Sequence, residues 1–276
     1  MPRTEIGSQP QTLSPSEYAT ADRFNQAEFA NIAHYEQDFW WYRGMRAIQL
    51  GLLDRYLKGR KIRCALEAGC GTGYVARVLQ QDRKLPLVAL DYSERGLRWG
   101  MREGLKCASQ GSLLDLPFAE QSFDAAMAFD VLQQFRPGEE RRAIVEMARV
   151  LRPGGLLALR VSAFAMLRSR HSEHVHEAQR FRRGQLKGLV EAAGFRVLRA
   201  TYANALLSPV ALVKFRLMEP LTAKGAESGI QAVSPWLDSV LYGALAAEAA
   251  WLRAGFNFPF GQSLLLFAEK RGGERG

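Results

Sequence analysis

The sequence predicts an α/β fold in which helices cover a parallel sheet, and three observations carry that prediction. Short apolar runs alternate with helix-length segments along most of the chain. One run ends in an acid and three alternating glycines, Glu67-Ala68-Gly69-Cys70-Gly71-Thr72-Gly73, directly before a helical pattern. The length of 276 residues, with 47% hydrophobic and 24% charged residues, suits one large domain or a core with an insertion; it excludes a disordered, collagen-like or coiled-coil chain.

Residues 1–20, rich in Pro, Ser, Thr and Gln, read as a flexible leader without the apolar stretch of a secretion signal. Residues 21–60 read as an N-terminal helical cap, because an aromatic segment is followed by Ile48, Leu50, Leu52, Leu53 and Leu57 at spacings that suit one or two helices. The core spans 61–202, with strands at 62–67, 86–90, 106–110, 123–129, 156–161 and 195–202. Helices fill the gaps. Val75, Val78 and Leu79 make one buried stripe, and Ala143, Ile144, Met147, Val150 and Leu151 another, which ends at the breaker Arg152-Pro153-Gly154-Gly155. A helix at 184–193, capped by Gly194, leads into the sixth strand. Residues 203–262 are too many for a plain connection and read as a helical insertion, a lid or dimer element; 263–276 hold the last strand and the tail. The most apolar later stretch, 239–252, contains Glu248 and falls short of the roughly 18–20 apolar residues a membrane span needs.

Glycines at the end of a buried strand let the backbone turn tightly and approach a ligand, while the free N–H groups of the next helix face it. A nucleotide-like cofactor follows. Dinucleotide loops have the form G-x-G-x-x-G/A, and here the bulky Tyr74 stands where the third glycine belongs, which argues against NAD or FAD. Asp91 closes the second strand, where an acid can accept both hydroxyls of a ribose. Cys70 reads as a small side chain in a tight turn. With Cys64 and Cys107 it offers neither a disulfide framework nor a metal-binding spacing, so a reducing, cytoplasmic setting and no metal are expected.

The pattern Glu-x-Gly-x-Gly-x-Gly resembles motif I of class I S-adenosylmethionine-dependent methyltransferases. Four later stretches resemble that family in order: Asp91-Tyr92-Ser93, Gly111-Ser112-Leu113-Leu114-Asp115-Leu116-Pro117-Phe118, the run from Ser122 through Phe123-Asp124 to Asp130-Val131-Leu132, and Arg149-Val150-Leu151-Arg152-Pro153-Gly154-Gly155. The upstream segment Phe39-Trp40-Trp41-Tyr42-Arg43-Gly44 is similar to one found in bacterial small-molecule methyltransferases of the type 11 kind. The resemblance implies a Rossmann-like sheet of seven mostly parallel strands, S-adenosyl-L-methionine as cofactor and methyl transfer as activity. It implies a cofactor site of Tyr42, Arg43, Glu67, Gly69, Gly71, Gly73, Asp91, Tyr92, Asp115, Leu116 and Asp130. Asp115 is then expected on the exocyclic amine of the adenine.

The acceptor is less legible. The sulfonium already activates the methyl group, so the protein mainly positions the acceptor, and an oxygen or nitrogen acceptor can also need a base. Three histidines follow the fifth strand, and His171, then His174, are the candidates. The chain departs from its relatives here: Gln133-Gln134 stands where many have Glu-His, and Ser172, Glu177 and Phe181 replace Asp, His and Tyr. The same fold without methylation, in a rearrangement, elimination or scaffolding role, is therefore the alternative. The net charge of +9 is concentrated, with nine basic and three acidic residues between 160 and 199. Arg180, Arg182 and Arg183 could clamp a phosphate or carboxylate. This favours a small or lipid-like, anionic acceptor over nucleic acid, since no RNA-binding motif is recognisable. Peripheral membrane contact and a homodimer stay open.

Overall fold

The computed structural model describes residues 24, 25, 28–218 and 233–272. The leader expected at 1–20, the middle of the insertion at 219–232 and the tail after 272 lie outside the described residues. Two helices open the fold, α1 (Glu28–Tyr35) and α2 (Trp40–Leu57). Then follow β1 (Ala65–Ala68), α3 (Tyr74–Gln81), β2 (Leu87–Asp91), α4 (Glu94–Arg102), β3 (Ala108–Gln110), β4 (Phe123–Phe129), α5 (Glu139–Val150) and β5 (Leu151–Ser162). The chain continues through α6 (Arg170–His174), α7 (Arg183–Ala192), β6 (Phe195–Ala203), α8 (Ser208–Val213), α9 (Pro235–Arg253) and β7 (Ser263–Lys270).

The seven strands form one sheet in the order β3-β2-β1-β4-β5-β7-β6. All pairings are parallel except those of β7, which runs antiparallel to both neighbours. Both faces of the sheet are buried, as continuous apolar strands such as β4 require. On one face Ile144 and Met147 of α5 and Leu186 and Val190 of α7 pack against Leu66, Ala126, Leu157 and Leu266. On the other, Met45 and Leu52 of α2 and Ala76 and Leu79 of α3 pack against Ala65, Ala125, Leu156 and Phe267.

Two sequence expectations change. Arg152-Pro153-Gly154-Gly155 does not separate α5 from the fifth strand, because β5 already pairs with β4 at Leu151. The register then shifts, so these residues form an irregularity inside the strand, with Gly154 in the left-handed region. The insertion is also more than a cover. Leu245, Ala249 and Leu252 of α9 belong to the core beside α2, and Asp238 accepts the N–H of Trp40 at 3.0 Å where α2 begins. Among the described residues no helix is long and apolar enough to cross a membrane.

Candidate cofactor and active site

Beyond the carboxyl ends of β1, β2 and β4 lies a cavity of about 250 Å³. The loop after β1 forms its floor. Gly69 and Gly71 have φ of +79° and +57°, where other residues are strained. A Cβ on Gly69 would also lie 2.2 Å from Val131 Cγ2, so this glycine admits the β4 exit loop into the cavity wall.

Asp91, at the end of β2, is 4% exposed and accepts the N–H of Gly71 at 2.7 Å and of Ser93 at 2.8 Å. Burial pushes its carboxyl up to about 6, against the lowering effect of those N–H groups. Glu67 is equally buried, and its Oε2 has no hydrogen-bond partner. Burial raises it to about 8, opposed by the positive charge of Arg160. An unpartnered carboxylate oxygen inside a cavity is an acceptor for a cationic or N–H-bearing ligand.

At the β4 exit Asp130 takes a left-handed conformation, φ +59°, and pairs with Arg160. Arg160 Nε donates to Asp130 Oδ1 at 3.0 Å, Nη1 donates to Gln49, and the guanidinium lies 5.6 Å from the Trp41 ring centre. The cover comes from the N-terminal segment, where Phe24, Phe29, Ile32 and Glu36 line the cavity. The Thr72 hydroxyl donates to Glu36 Oε2, and burial raises this carboxyl to about 7. Sequence reasoning missed Glu36 and Arg46, both of which line the cavity.

Of the residues expected in the cofactor site, Tyr42, Glu67, Gly69, Gly71, Asp91, Tyr92 and Asp130 line the cavity. The others lie elsewhere, each for a physical reason. Arg43 turns to α9, pairing with Asp238 at 3.0 Å and stacking 4.0 Å from the Tyr242 ring centre. Arg46, one turn further along α2, takes the cavity side instead. Gly73 precedes α3 and backs onto Leu105. In the turn after β3, Ser112 and Leu113 face the cavity while Asp115 and Leu116 do not. Leu116 is buried; its N–H donates to Glu146 at 2.8 Å and its carbonyl accepts from Arg149 at 2.9 Å.

The histidines also change place. His174 Nε2 lies 3.0 Å from Glu28 Oε2 and 3.3 Å from Asn25 Nδ2, so it joins α6 to the covering segment. His171 does not line the cavity, and burial holds its imidazole below the usual histidine value. The basic stretch is largely engaged within the fold. Arg180 binds Glu177, Ser172 and the Ala163 carbonyl, Arg196 pairs with Glu269, and Arg199 binds Asn257 and the Leu252 carbonyl. The phosphate clamp expected of Arg180 is thereby corrected, since its donors already have acceptors.

The strand order with its single reversed strand, the glycine loop after β1 and the acid closing β2 define the class I S-adenosylmethionine-dependent methyltransferase fold. Residues 66–159 match the family described as a methyltransferase domain. A probable tRNA methyltransferase 9B of Bos taurus is 40% identical over 114 residues, 39% of this chain and 23% of that protein. A probable S-adenosylmethionine-dependent methyltransferase of Mycolicibacterium smegmatis is 28% identical over 165 residues, 58% of this chain and 61% of that one. The chain thus spans about a quarter of the first relative and about three fifths of the second. Among solved structures, the 4+2 cyclase SpnF superposes with a TM-score of 0.59 at 17% identity, over 95% of this chain and 98% of that one, a likeness of fold alone.

Proposed function

We propose that this chain transfers the methyl group of S-adenosylmethionine to a small, apolar or lipid-like acceptor. The observation that carries the reading is a single cavity that joins a glycine loop bearing buried acids to walls of Phe29, Ile32, Leu113, Phe129, Val131 and Phe135. The polar end fits the cofactor: Asp91 is positioned to accept from a ribose, and the unpartnered Glu67 oxygen can face a cationic group. Bound there, the cofactor supplies a methyl group already activated by the sulfonium.

The protein then has to orient the acceptor and exclude water. Tyr42, Asp130 and Gln134 offer hydrogen-bonding groups beside the apolar side chains, and the aromatic cover formed by Phe24 and Phe29 shields them. Any proton to be removed would be taken by a cavity carboxylate, because the candidate bases His171 and His174 do not line the cavity. Of the three arginines that suggested an anionic acceptor, Arg180 is engaged within the fold, whereas Arg182 and Arg183 are exposed. The tRNA named for the bovine relative is the competing acceptor class.

The test is transfer from methyl-labelled S-adenosylmethionine, with purified protein given a cell's organic extract and its tRNA in parallel. Label in an extractable apolar compound is the expected outcome. Label in tRNA alone would overturn the acceptor class, and failure to bind the cofactor would overturn the activity.

A further inference from the structure

Two segments on the cavity's edge of the sheet present apolar side chains to solvent. β5 runs parallel to β4, and β6 runs in the same direction as β5, since β7 is antiparallel to both. The ends of β5 and β6, Ser162 and Ala203, therefore stand on either side of Ser263 at the edge where β1, β2 and β4 open into the cavity. A short 3-10 turn (Ala165–Leu167) follows β5, and α8 follows β6, continuing as a π turn over Lys214–Met218. Arg216 Nε donates to the Met166 carbonyl at 3.1 Å, which joins the two segments.

Leu206, Val210 and Val213 recur at i, i+4 and i+7, the spacing of one helical face. All three are exposed, Val210 by 67%, and so is Met166. Trp236, the second residue of α9, is 74% exposed. Two residues on, Asp238 accepts the Trp40 N–H at the start of α2, the end that also brings Tyr42 to the cavity, so Trp236 stands at the same end of the molecule. Exposed apolar side chains grouped in this way mark a docking surface. Cations flank them. Between 163 and 174 the chain has Arg168 and Arg170 against Glu173, and between 204 and 218 it has Lys214 and Arg216 against no acid. Arg168, Lys214 and Arg216 are exposed. The chemistry of this face selects its occupant. A second copy of the same face would bring like charges together. A nucleic acid would pair with the cations but leave the aliphatic stripe against phosphate and water. An anionic bilayer matches both parts: apolar side chains enter below the headgroups, Lys and Arg are drawn to the surface, and Trp is favoured at that depth.

We propose that α8, the turn at Met166 and the start of α9 dock the protein on an anionic lipid surface, on the edge of the sheet that carries the cavity. The inference deepens the reading of a lipid-like acceptor and rests on it for its purpose: an acceptor dissolved in the bilayer reaches the cavity from the docked edge without crossing water.

The test is co-sedimentation of the full chain with vesicles of equal parts phosphatidylglycerol and phosphatidylcholine, with phosphatidylcholine vesicles as the uncharged reference. The unmodified protein should bind the anionic vesicles about tenfold or more tightly than the reference, and less tightly in raised salt. Val210→Asp with Val213→Asp, and separately Lys214→Gln with Arg216→Gln, should each weaken that binding about tenfold or more. Both pairs should bind S-adenosylhomocysteine within about twofold of the unmodified protein by calorimetry, which shows that fold and cavity are intact. Equal binding to the two vesicle types, or anionic binding that neither pair weakens, would overturn the proposal. So would a dimer in sedimentation velocity that Val210→Asp with Val213→Asp dissociates, or tRNA bound in preference to the vesicles, since either gives the face to another occupant. Docking that fails while S-adenosylhomocysteine binds overturns this inference alone. Docked protein that transfers label to no extractable lipid supports the docking and contradicts the acceptor reading.

Discussion

Replacing Gly69 by Ala and Gly71 by Ala tests the glycine loop at two sites that differ in one physical respect. Both glycines have positive φ, +79° and +57°, so an added Cβ strains either by about 1–2 kcal/mol. At Gly71 the nearest atom to that Cβ is Phe29 Cε1 at 3.8 Å, an ordinary contact. At Gly69 it meets Val131 at 2.2, 3.0 and 3.2 Å, and overpacking of that kind costs a further ~1–3 kcal/mol. Gly69→Ala should therefore lose about 2–5 kcal/mol of unfolding free energy and Gly71→Ala about 1–2 kcal/mol. Because Val131 also lines the cavity, Gly69→Ala should weaken S-adenosylmethionine more than Gly71→Ala does. Adding Val131→Ala to Gly69→Ala removes two of the three close atoms and should return part of the loss. Urea unfolding and calorimetric titration of the four proteins supply the numbers. Equal destabilisation at the two glycines, or no recovery in the double variant, would refute the reasoning.

Asp91→Ala removes an acceptor placed for two ribose hydroxyls at about 1.5–3 kcal/mol each, so the affinity for S-adenosylmethionine should fall by roughly 10²–10⁴, read by calorimetry. His174→Ala breaks the contact with buried Glu28 and should lower stability by about 1–3 kcal/mol; methyl transfer at saturating cofactor stays within about threefold, whereas a collapse of turnover would restore the histidine as base. Glu36, Glu67 and Asp91 have carboxyls raised by burial from 4.5, 4.5 and 3.8 to about 7, 8 and 6. The groups facing them are Thr72, Arg77, Arg46 and Glu103 for Glu36, Arg160 and Asp91 for Glu67, and the N–H groups of Ser93, Gly71 and Tyr92 for Asp91. A folded-state value above the unfolded one means that the stabilisation is complete below pH about 4 and is lost as pH rises towards about 8. The cofactor-free protein should thus melt lower at pH 8 than at pH 6 from these groups, and S-adenosylmethionine, which brings a cation to them, should raise Tm more at pH 8; a larger rise at pH 6 would contradict the linkage.

The repeating core was legible because a parallel sheet buried on both faces leaves unbroken apolar runs, and the strands at 62–67, 86–90 and 123–129 lie within a few residues of β1, β2 and β4. The glycine loop was legible because positive φ restricts residue type. What failed depends on tertiary neighbours. Arg43 and Arg46 share a face of α2 at i and i+3, and which one enters the cavity is decided by Asp238 of α9, almost 200 positions away. Glu36 reads as a surface acid until α1 and the turn after it lie over the loop. The charge excess at 160–199 gave a sum, but pairing with Glu177, Glu269 and Asp130 decides where charge is available. Asp115 sits within three residues of Ser112, and only the hydrogen bonds from Leu116 to Glu146 and from Arg149 to the Leu116 carbonyl show which part of that turn faces inward.

Whether the cavity above β1, β2 and β4 holds S-adenosylmethionine for methyl transfer is decided by titrating the unmodified protein with S-adenosylmethionine, S-adenosylhomocysteine and NAD. Saturable one-to-one binding of the first two and none of NAD is expected, with binding of the first two weakened in Asp91→Ala. Tight binding of NAD with no heat from the other two would contradict it.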